Sequence, residues 1–369
     1  MKTLRKLIHR QALAAVAYVT LGFLALFFFF DLVDELRWIG RAGADGYQMG
    51  HALAFVALSM PSHLYELLPI TVLIGTIFVT ARLAQSSEFT IMRTSGLGPW
   101  KALRTLLTLG GMFVLITFAV GDYIAPYADR AAQLIKAQHL GRLTSGATGA
   151  WLKERQNGHS FAVNVRALSP DGALQDVRIF EFDSEGRLTA KTQALRGTVS
   201  SGDAGWLLEN VQRSRFERNE ADATKVLHES LPQWTWPTGL SLDMVAASLL
   251  KPDRMATIDL FQYIRHLEAN GQSAQRYEIE FWRKVFYPLS CLVMVVLALP
   301  FAYLHFRSGG IAGYVFGGVM AGISFFLLNN VFGYAGNLQN WSPMWTAAAP
   351  GLIYTLLSLA AFGWLVLRR

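Results

Sequence analysis

ARLAQSSEFTIMRTSGLGPWKALR, residues 81–104, is a short and mostly polar stretch between two long apolar runs. Ser86 or Ser87 can cap a helix start here, because a serine oxygen accepts hydrogen bonds from the amides of a first turn. Glu88 follows in that turn, where a negative charge suits the helix dipole. The stretch therefore predicts a short helix, over about residues 86–96, between two membrane helices.

The same short helix has an apolar side and a clear end. Phe89, Ile91 and Met92 form the apolar side, and the glycines at 96 and 98 precede Pro99. Glycine permits a left-handed cap and proline disrupts a continuing helix. An amphipathic helix at a membrane surface is the kind of element that engages a soluble motor protein. The alternative is an ordinary connecting loop.

The composition indicates an integral membrane protein. Of the 369 residues, 52% are hydrophobic and only 16% are charged, against about 25% charged in a typical soluble domain. The net charge of +7 is not a nucleic-acid signature, since much of the excess Lys and Arg lies at the ends of apolar runs. The single cysteine, Cys291, allows neither an internal disulfide nor a cysteine-based metal site.

Six segments are apolar enough to span a bilayer, which takes about 20 residues. They are 12–33, 64–83, 102–125, 284–304, 311–333 and 346–367. Within the stretch 39–60, residues 51–60 are apolar enough to extend the second helix outward, and Pro61 and Pro69 either kink that helix or mark its entry. The first segment reads as a retained helix rather than a cleaved signal peptide. The Lys and Arg bias places both termini in the cytosol and the long polar insert on the far side, the periplasm of a bacterium.

The polar insert alternates apolar and polar residues from about 149 to 236 and is interrupted by turn clusters at 169–172, 183–186 and 201–205. Short strands separated by such turns are typical of an antiparallel sandwich or jelly roll. The predicted fold is an α-helical transmembrane bundle of six spans, three plus three, with an inserted all-β domain. Residues 1–126 hold helices one to three, 127–256 the β domain with its linkers, and 257–369 a connector helix and the last three spans.

Enzyme motifs are missing from the sequence. It has no phosphate-binding G-x-x-x-x-G-K-S/T loop, no H-E-x-x-H, no G-x-S-x-G and no paired cysteines. We therefore expect no catalytic residues, no metal site and no bound cofactor, and any energy for work must come from another chain.

Charges cluster where the first and third helices reach the outer membrane boundary. They are Asp31, Asp34, Arg37, Arg41 and Lys136. Charges at such a boundary tend to face a bundle interior, a cavity or each other, and Arg and Lys are good phosphate partners. The cluster predicts a site for a phosphorylated amphiphile; the alternative is interfacial charge with local pairing.

Several stretches together resemble the lipopolysaccharide-export permease family, and within it the G-type subunit. They are LVDELRWIGRAG (32–43), the 81–96 stretch, GDYIAPYADRAAQLIKAQ (121–138), YEIEFWRKVFYPL (277–289) and GISFFLLNNVFG (322–333). Their order and spacing cover nearly the whole chain.

The resemblance implies a permease subunit that pairs with an F-type subunit and with two copies of a cytosolic ABC ATPase, which binds the ATP. Lipopolysaccharide would leave the outer leaflet of the inner membrane through a cavity lined by the first and fifth helices. It would then pass to a periplasmic bridge protein. A single-span C-type regulator is a further implied partner, and no nucleic acid is.

The resemblance also assigns residues. Ser87–Gly96 matches the coupling helix that contacts the ATPase; its candidate residues are Ser87, Glu88, Phe89, Met92, Arg93 and Gly96. Arg37 and Lys136 match basic positions near the lipid's phosphates. G-type members can carry a lysine where this chain has Asp31, which places phosphate contact at that position in doubt.

Two other functions stay open from the residues alone. A proton-coupled secondary transporter would use Asp31, Asp34 or Asp122 as its proton site and need no ATPase. A non-transporting membrane scaffold would use the β domain for docking.

Overall fold

Long apolar runs form the long helices of this chain. The computed structural model describes residues 2–39, 47–86, 88–96, 98–140, 149–156, 158–169, 172–199, 205–218, 224–242, 244–245, 252–303 and 311–364. Within these residues six helical spans are long and apolar enough to cross a membrane, which confirms the six predicted spans. They are Arg5–Leu36, Met49–Gln85, Pro99–Lys136, Gln275–Phe301, Ala312–Leu338 and Pro343–Phe362.

The helices before the insert are α1 (Lys2–Leu36), α2 (Met49–Gln85), α3 (Glu88–Thr94), α4 (Pro99–Ala119) and α5 (Ala125–Leu140). A π-helical segment, Val120–Ile124, joins α4 to α5 without a break. The helices after the insert are α6 (Thr257–Ala269), α7 (Gln275–Phe286), α8 (Ser290–Ala298), α9 (Ile311–Leu338) and α10 (Pro343–Phe362). Short 3-10 turns lie at Pro252–Arg254, Tyr287–Leu289 and Leu299–Tyr303. Helix α2 begins at Met49 and includes both Pro61 and Pro69, so the outward extension of the second helix is present.

The chain divides into two compact units. One comprises Met1–Asp34, Val56–Ala128 and Gln275–Arg369, and the other comprises Glu35–Phe55 and Asp129–Ala274. In the first unit α2 is the central helix, with most of its span buried, whereas most of the α1 span is exposed. Large apolar side chains such as Tyr18, Leu21 and Phe29 are exposed along α1, as lipid-facing positions would be.

The second unit contains six strands, β1 (Ala150–Gln156), β2 (His159–Leu168), β3 (Leu174–Phe182), β4 (Leu188–Val199), β5 (Trp206–Arg218) and β6 (Thr224–Trp236). The prediction of an inserted antiparallel β domain is thus confirmed. The six described strands form a single sheet in which each strand pairs with its neighbours in sequence. The prediction of a sandwich or jelly roll rested on alternation and turns, which reveal strands but not which strands become partners.

A crease crosses this sheet at Asp176 of β3 and Asn210 of β5, whose φ angles are 48° and 53°. Asp and Asn tolerate this left-handed backbone better than other non-glycine residues. Buried positions change parity across the crease, from Leu174 to Val177 and Ile179 on β3 and from Leu208 to Val211 on β5. At the crease, each of these two strands therefore changes which set of alternate residues faces the core. This change keeps the apolar side chains buried although the sheet bends.

The segment after β6 closes the core of the β unit. The Trp206 indole donates to the Leu240 carbonyl at 2.8 Å, and Glu154 accepts from the Gly239 amide at 2.8 Å and from the Thr238 hydroxyl. Helix α6 buries its apolar face at Leu260, Tyr263, Ile264 and Leu267, and the Arg155 amide donates to Asn270 at 3.1 Å.

Candidate functional site

Helix α3 is anchored in the helical unit by one side. Phe89 and Met92, three residues apart and therefore on one helix face, are buried in the main apolar cluster of this unit. The Phe89 ring packs edge-on against Tyr303 with centroids 5.1 Å apart. Gly96 ends the element with a φ of 95°, and its carbonyl accepts from the Lys101 ammonium at 3.2 Å. A seven-residue helix is marginal alone, so this anchoring fixes its position.

The other side of α3 is exposed. Glu88 and Ile91 share it, and 63% of Ile91 is exposed. The sequence had grouped Ile91 with the apolar anchor, but a residue two positions after Phe89 falls on the far side of a 3.6-residue turn. Ser86 belongs to the end of α2, where its hydroxyl donates to the Leu83 carbonyl at 3.4 Å. Ser87 and the side chain of Arg93 lie outside the described part of the chain.

Asp31 pairs with a histidine of the neighbouring helix. Its Oδ2 lies 2.7 Å from Nε2 of His63, and both side chains are partly buried. The Phe27 ring covers the imidazole at 4.8 Å. Sequence analysis placed Asp31 at the outer end of α1 but missed His63, since a lone histidine on α2 carries no pairing signal.

Lys136 occupies an aromatic box within the second unit, formed by Glu35, Trp38 and Phe55. Its Nζ lies 2.9 Å and 3.0 Å from the two carboxylate oxygens of Glu35. The same nitrogen lies 5.1 Å from the centroid of the Trp38 ring and 4.6 Å from that of Phe55. Cation–π attraction is stronger where water is excluded, so the two rings and the carboxylate jointly stabilise the ammonium.

Tyr47 lies beside Glu35 of this box as a buried phenol with 1% exposure. Burial, together with the negative charge of Glu35, raises the pKa of Tyr47 well above its usual range. The phenol therefore stays neutral at physiological pH. The sequence identified Lys136 as a basic position. Its aromatic neighbours could not be predicted, because Trp38 and Phe55 are far from it in the chain.

The remaining predicted residues of the lipid-binding set lie on α1 or just after it. Asp34 is exposed in the last turns of α1, and Arg37 is exposed in the turn that follows. Arg41 lies outside the described residues. No group of three metal-ligating side chains occurs within the described ranges.

A second buried cation holds the π-helical segment. Lys284, only 6% exposed, donates to the Gly121 carbonyl at 3.1 Å and lies 5.8 Å from the centre of the Tyr65 ring. Arg283 beside it donates to the Asn329 carbonyl at 2.9 Å and pairs with Glu280 at 3.2 Å. Lys284 thus lies inside the unit, where it fixes an irregular helix.

Comparison with known proteins gives matches that extend over nearly the whole chain. Residues 6–367 match the family described as lipopolysaccharide export system permease LptF/LptG. The Haemophilus influenzae lipopolysaccharide export system permease protein LptG is 28% identical over 369 residues, which is 100% of this chain and 99% of that protein. The Escherichia coli K12 protein of the same name is 28% identical over 339 residues, 91% of this chain and 90% of that protein.

Proposed function

The chain belongs to the lipopolysaccharide export system permease LptF/LptG family, and we propose that it is the G-type permease subunit of an ABC transporter. It is a multi-pass inner-membrane protein with a permease role in lipopolysaccharide transport. On this proposal it takes lipopolysaccharide from the outer leaflet of the inner membrane and passes it to a periplasmic bridge protein. Both termini lie in the cytosol and the β unit lies in the periplasm.

The observation that carries this proposal is the two-sided build of α3. Its anchor residues are buried in the helical unit while Glu88 and Ile91 are exposed on the opposite side. A rigidly held surface helix transmits motion from a docked protein, because the anchor leaves it little freedom to move separately. We propose that two copies of a cytosolic ATPase, which bind the ATP, act on this chain and its F-type partner through such helices. A single-span C-type regulator completes the complex.

The lipid's phosphates are proposed to meet basic groups at the end of α1 and on α5. Arg37 is exposed, and Lys136 is partly exposed within its box. An ammonium has three N–H donors, and the hydrogen bond to Glu35 leaves capacity for a phosphate oxygen. Arg41 is a further candidate. Asp31 and Asp34 would meet polar groups of the lipid other than phosphates.

The first experiment is purification of the tagged chain from its native membranes in mild detergent, with mass identification of stoichiometric companions. We expect a related six-span permease and an ATPase with a phosphate-binding loop. Recovery of the chain as a homo-oligomer without an ATPase would contradict the proposal and favour a membrane scaffold.

The coupling role is tested by Glu88→Lys. We expect lipopolysaccharide export to be lost while insertion and folding are retained, because the exposed side chain contributes little to packing. The matched control is Glu185→Lys, an equal charge reversal at an exposed hairpin turn of the sheet. Normal export by the Glu88→Lys protein would count heavily against the role of α3.

A proton-coupled transporter is the second candidate, and the pair between Asp31 and His63 favours it, because it places two ionisable side chains 2.7 Å apart in a partly buried position between α1 and α2. The two candidates differ in their energy source. Export by complexes in vesicles that requires ATP and persists after a protonophore supports the ABC proposal. Export that is lost with the protonophore and with Asp31→Asn supports the proton-coupled one.

A further inference from the structure

The outward face of the sheet carries a groove where β4, β5 and β6 lie side by side. It has a volume of about 420 Å³. Two cross-strand rows of outward side chains line it, one of Lys191, Ser214 and His228 and one of Gln193, Gln212 and Ser230. Neighbouring side chains within a row stand about 5 Å apart, the spacing of adjacent strands, so the groove presents closely spaced hydrogen-bonding groups.

The chemistry of the lining excludes an acyl chain and suits a sugar. Every residue that lines the groove is polar or charged. The two amides each carry two N–H donors and an acceptor, one Gln193 donor being directed at Asp176 at 3.4 Å, and the two hydroxyls can donate or accept. Ser214 and His228 already share a hydrogen bond of 3.0 Å, which fixes one wall. A saccharide, whose hydroxyls are closely spaced donors and acceptors, matches this pattern, whereas a hydrocarbon would leave these groups unsatisfied.

An aromatic surface continues the groove on the same face. Phe180 of β3 is the cross-strand neighbour of Lys191, and the Lys191 ammonium lies 6.0 Å from its ring. Trp151 stacks on Phe180 with centroids 6.0 Å apart, and 53% of Trp151 is exposed. Exposed aromatic rings with polar rims are typical of binding surfaces, and their flat faces match the C–H faces of sugar rings.

The charge of the groove points to an anionic substituent on that sugar. Arg213, which also lines the groove, pairs with Glu181 at 3.2 Å, and Glu229, another lining residue, lies 3.9 Å from Arg215. Each of these pairs carries no net charge. Lys191 therefore makes the electrostatic potential positive between the aromatic surface and the polar rows. A phosphate or carboxylate on the sugar would be stabilised there.

We propose that this groove, with the Trp151–Phe180 surface, binds an oligosaccharide that carries an anionic group. The inference rests on the proposed function in one respect: in a lipopolysaccharide permease the ligand would be the sugar portion of the transported lipid. The alternative source is a glycan of the cell wall, which shares the same chemistry.

The test uses the full chain with its co-purified partners in nanodiscs. The probe is the lipid-free oligosaccharide released from lipopolysaccharide by mild acid, with and without phosphatase treatment, and binding is measured by saturation-transfer NMR. We expect Gln193→Ala combined with Gln212→Ala to weaken binding about tenfold, from two lost hydrogen bonds. Gln233→Ala, an exposed glutamine of β6 outside the groove, should have no effect. Lys191→Met should weaken binding of the phosphorylated probe but not of the dephosphorylated one.

A parallel binding assay with intact lipopolysaccharide distinguishes failure of the groove proposal from failure of the proposed function. Binding of intact lipopolysaccharide without any binding of the free oligosaccharide overturns the groove and leaves the transport role standing. If neither is bound, both proposals fail. Equal loss in the Gln233→Ala control overturns the groove as the site. Tighter binding of a cell-wall glycan fragment than of the oligosaccharide overturns the assignment to the transported lipid.

Discussion

The ammonium of Lys136 contacts both carboxylate oxygens of Glu35, a side chain with 4% exposure, at 2.9 Å and 3.0 Å. A buried carboxylate is costly unless a cation and hydrogen bonds offset its desolvation. Lys136 therefore does two things in this protein: it neutralises Glu35 and, through Trp38 and Phe55, ties α5 to the segments on either side of residues 40–46. Any role in binding phosphate is added to this structural one.

Lys136→Met is predicted to destabilise the second unit, because it leaves the Glu35 carboxylate buried without its cation. Removing one partner of a buried pair costs about 3 kcal/mol at the low end of such cases, which suits a lysine that is partly exposed. The readout is loss of protection from hydrogen exchange in α5 of the purified complex.

Two further variants separate structure from binding at this site. Glu35→Gln combined with Lys136→Met should regain most of the lost protection, since no unpaired charge remains. Lys225→Met, at an exposed lysine of β6, should change nothing. If the double variant is as unstable as Lys136→Met alone, the pair is not the source of the stability.

The two sides of α3 are predicted to respond oppositely to truncation. Phe89→Ala removes a buried ring and should destabilise the helical unit by about 3 kcal/mol, which a thermal unfolding scan of the complex would detect. Ile91→Ala should leave the unfolding temperature unchanged, because the side chain is exposed, and should lower lipid-stimulated ATP turnover. Equal effects of both variants on unfolding would contradict the assignment of the two faces.

Asp176 is predicted to stabilise the crease of the sheet through both its backbone and its side chain. Its carboxylate accepts from Arg178 at 2.9 Å, Arg166 at 3.3 Å and Gln193 at 3.4 Å. Asp176→Ala removes these bonds and places alanine at positive φ, at a cost of about 2 kcal/mol. Asp176→Asn should cost less, since asparagine tolerates the backbone. Hydrogen exchange at β3 and β4 measures the difference, and faster exchange in the Asn variant than in the Ala variant would refute this account.

Much of the architecture could be predicted from local pattern, because hydropathy and alternation are read over short windows. The six spans, the short helix after α2 and the antiparallel β insert all follow from such windows. The order in which the strands pair could not be predicted, since partner choice among strands depends on contacts distant in sequence. The crease was also invisible, because an aspartate within a strand has no local mark of a positive φ.

The candidate site was predictable as a set of charges but not as a set of pairs. The sequence indicated Asp31 and Lys136, while their partners His63 and Glu35 lie 32 and 101 residues away. Burial of Lys284 was missed for a related reason. A lysine beside aromatic residues near a span end is typical of an interfacial anchor, and the sequence does not reveal that the π-helical carbonyl of Gly121 accepts a hydrogen bond from it.

Gly75 is predicted to set the closest approach of α1 and α2. A Cβ added there would lie 2.7 Å from the backbone nitrogen of Val16 and 2.8 Å from its Cα, and backbone atoms cannot rotate away. Gly75→Ala should therefore force the helices apart and destabilise the unit by about 1–3 kcal/mol. Thermal unfolding of the complex checks this. Val16→Ala should not rescue it, because the clashing backbone remains. Gly111→Ala on α4, where a Cβ meets nothing within 4 Å, should be neutral or stabilising, since alanine favours helix. A Gly75→Ala protein as stable as the Gly111→Ala control would show that α1 does not pack this closely.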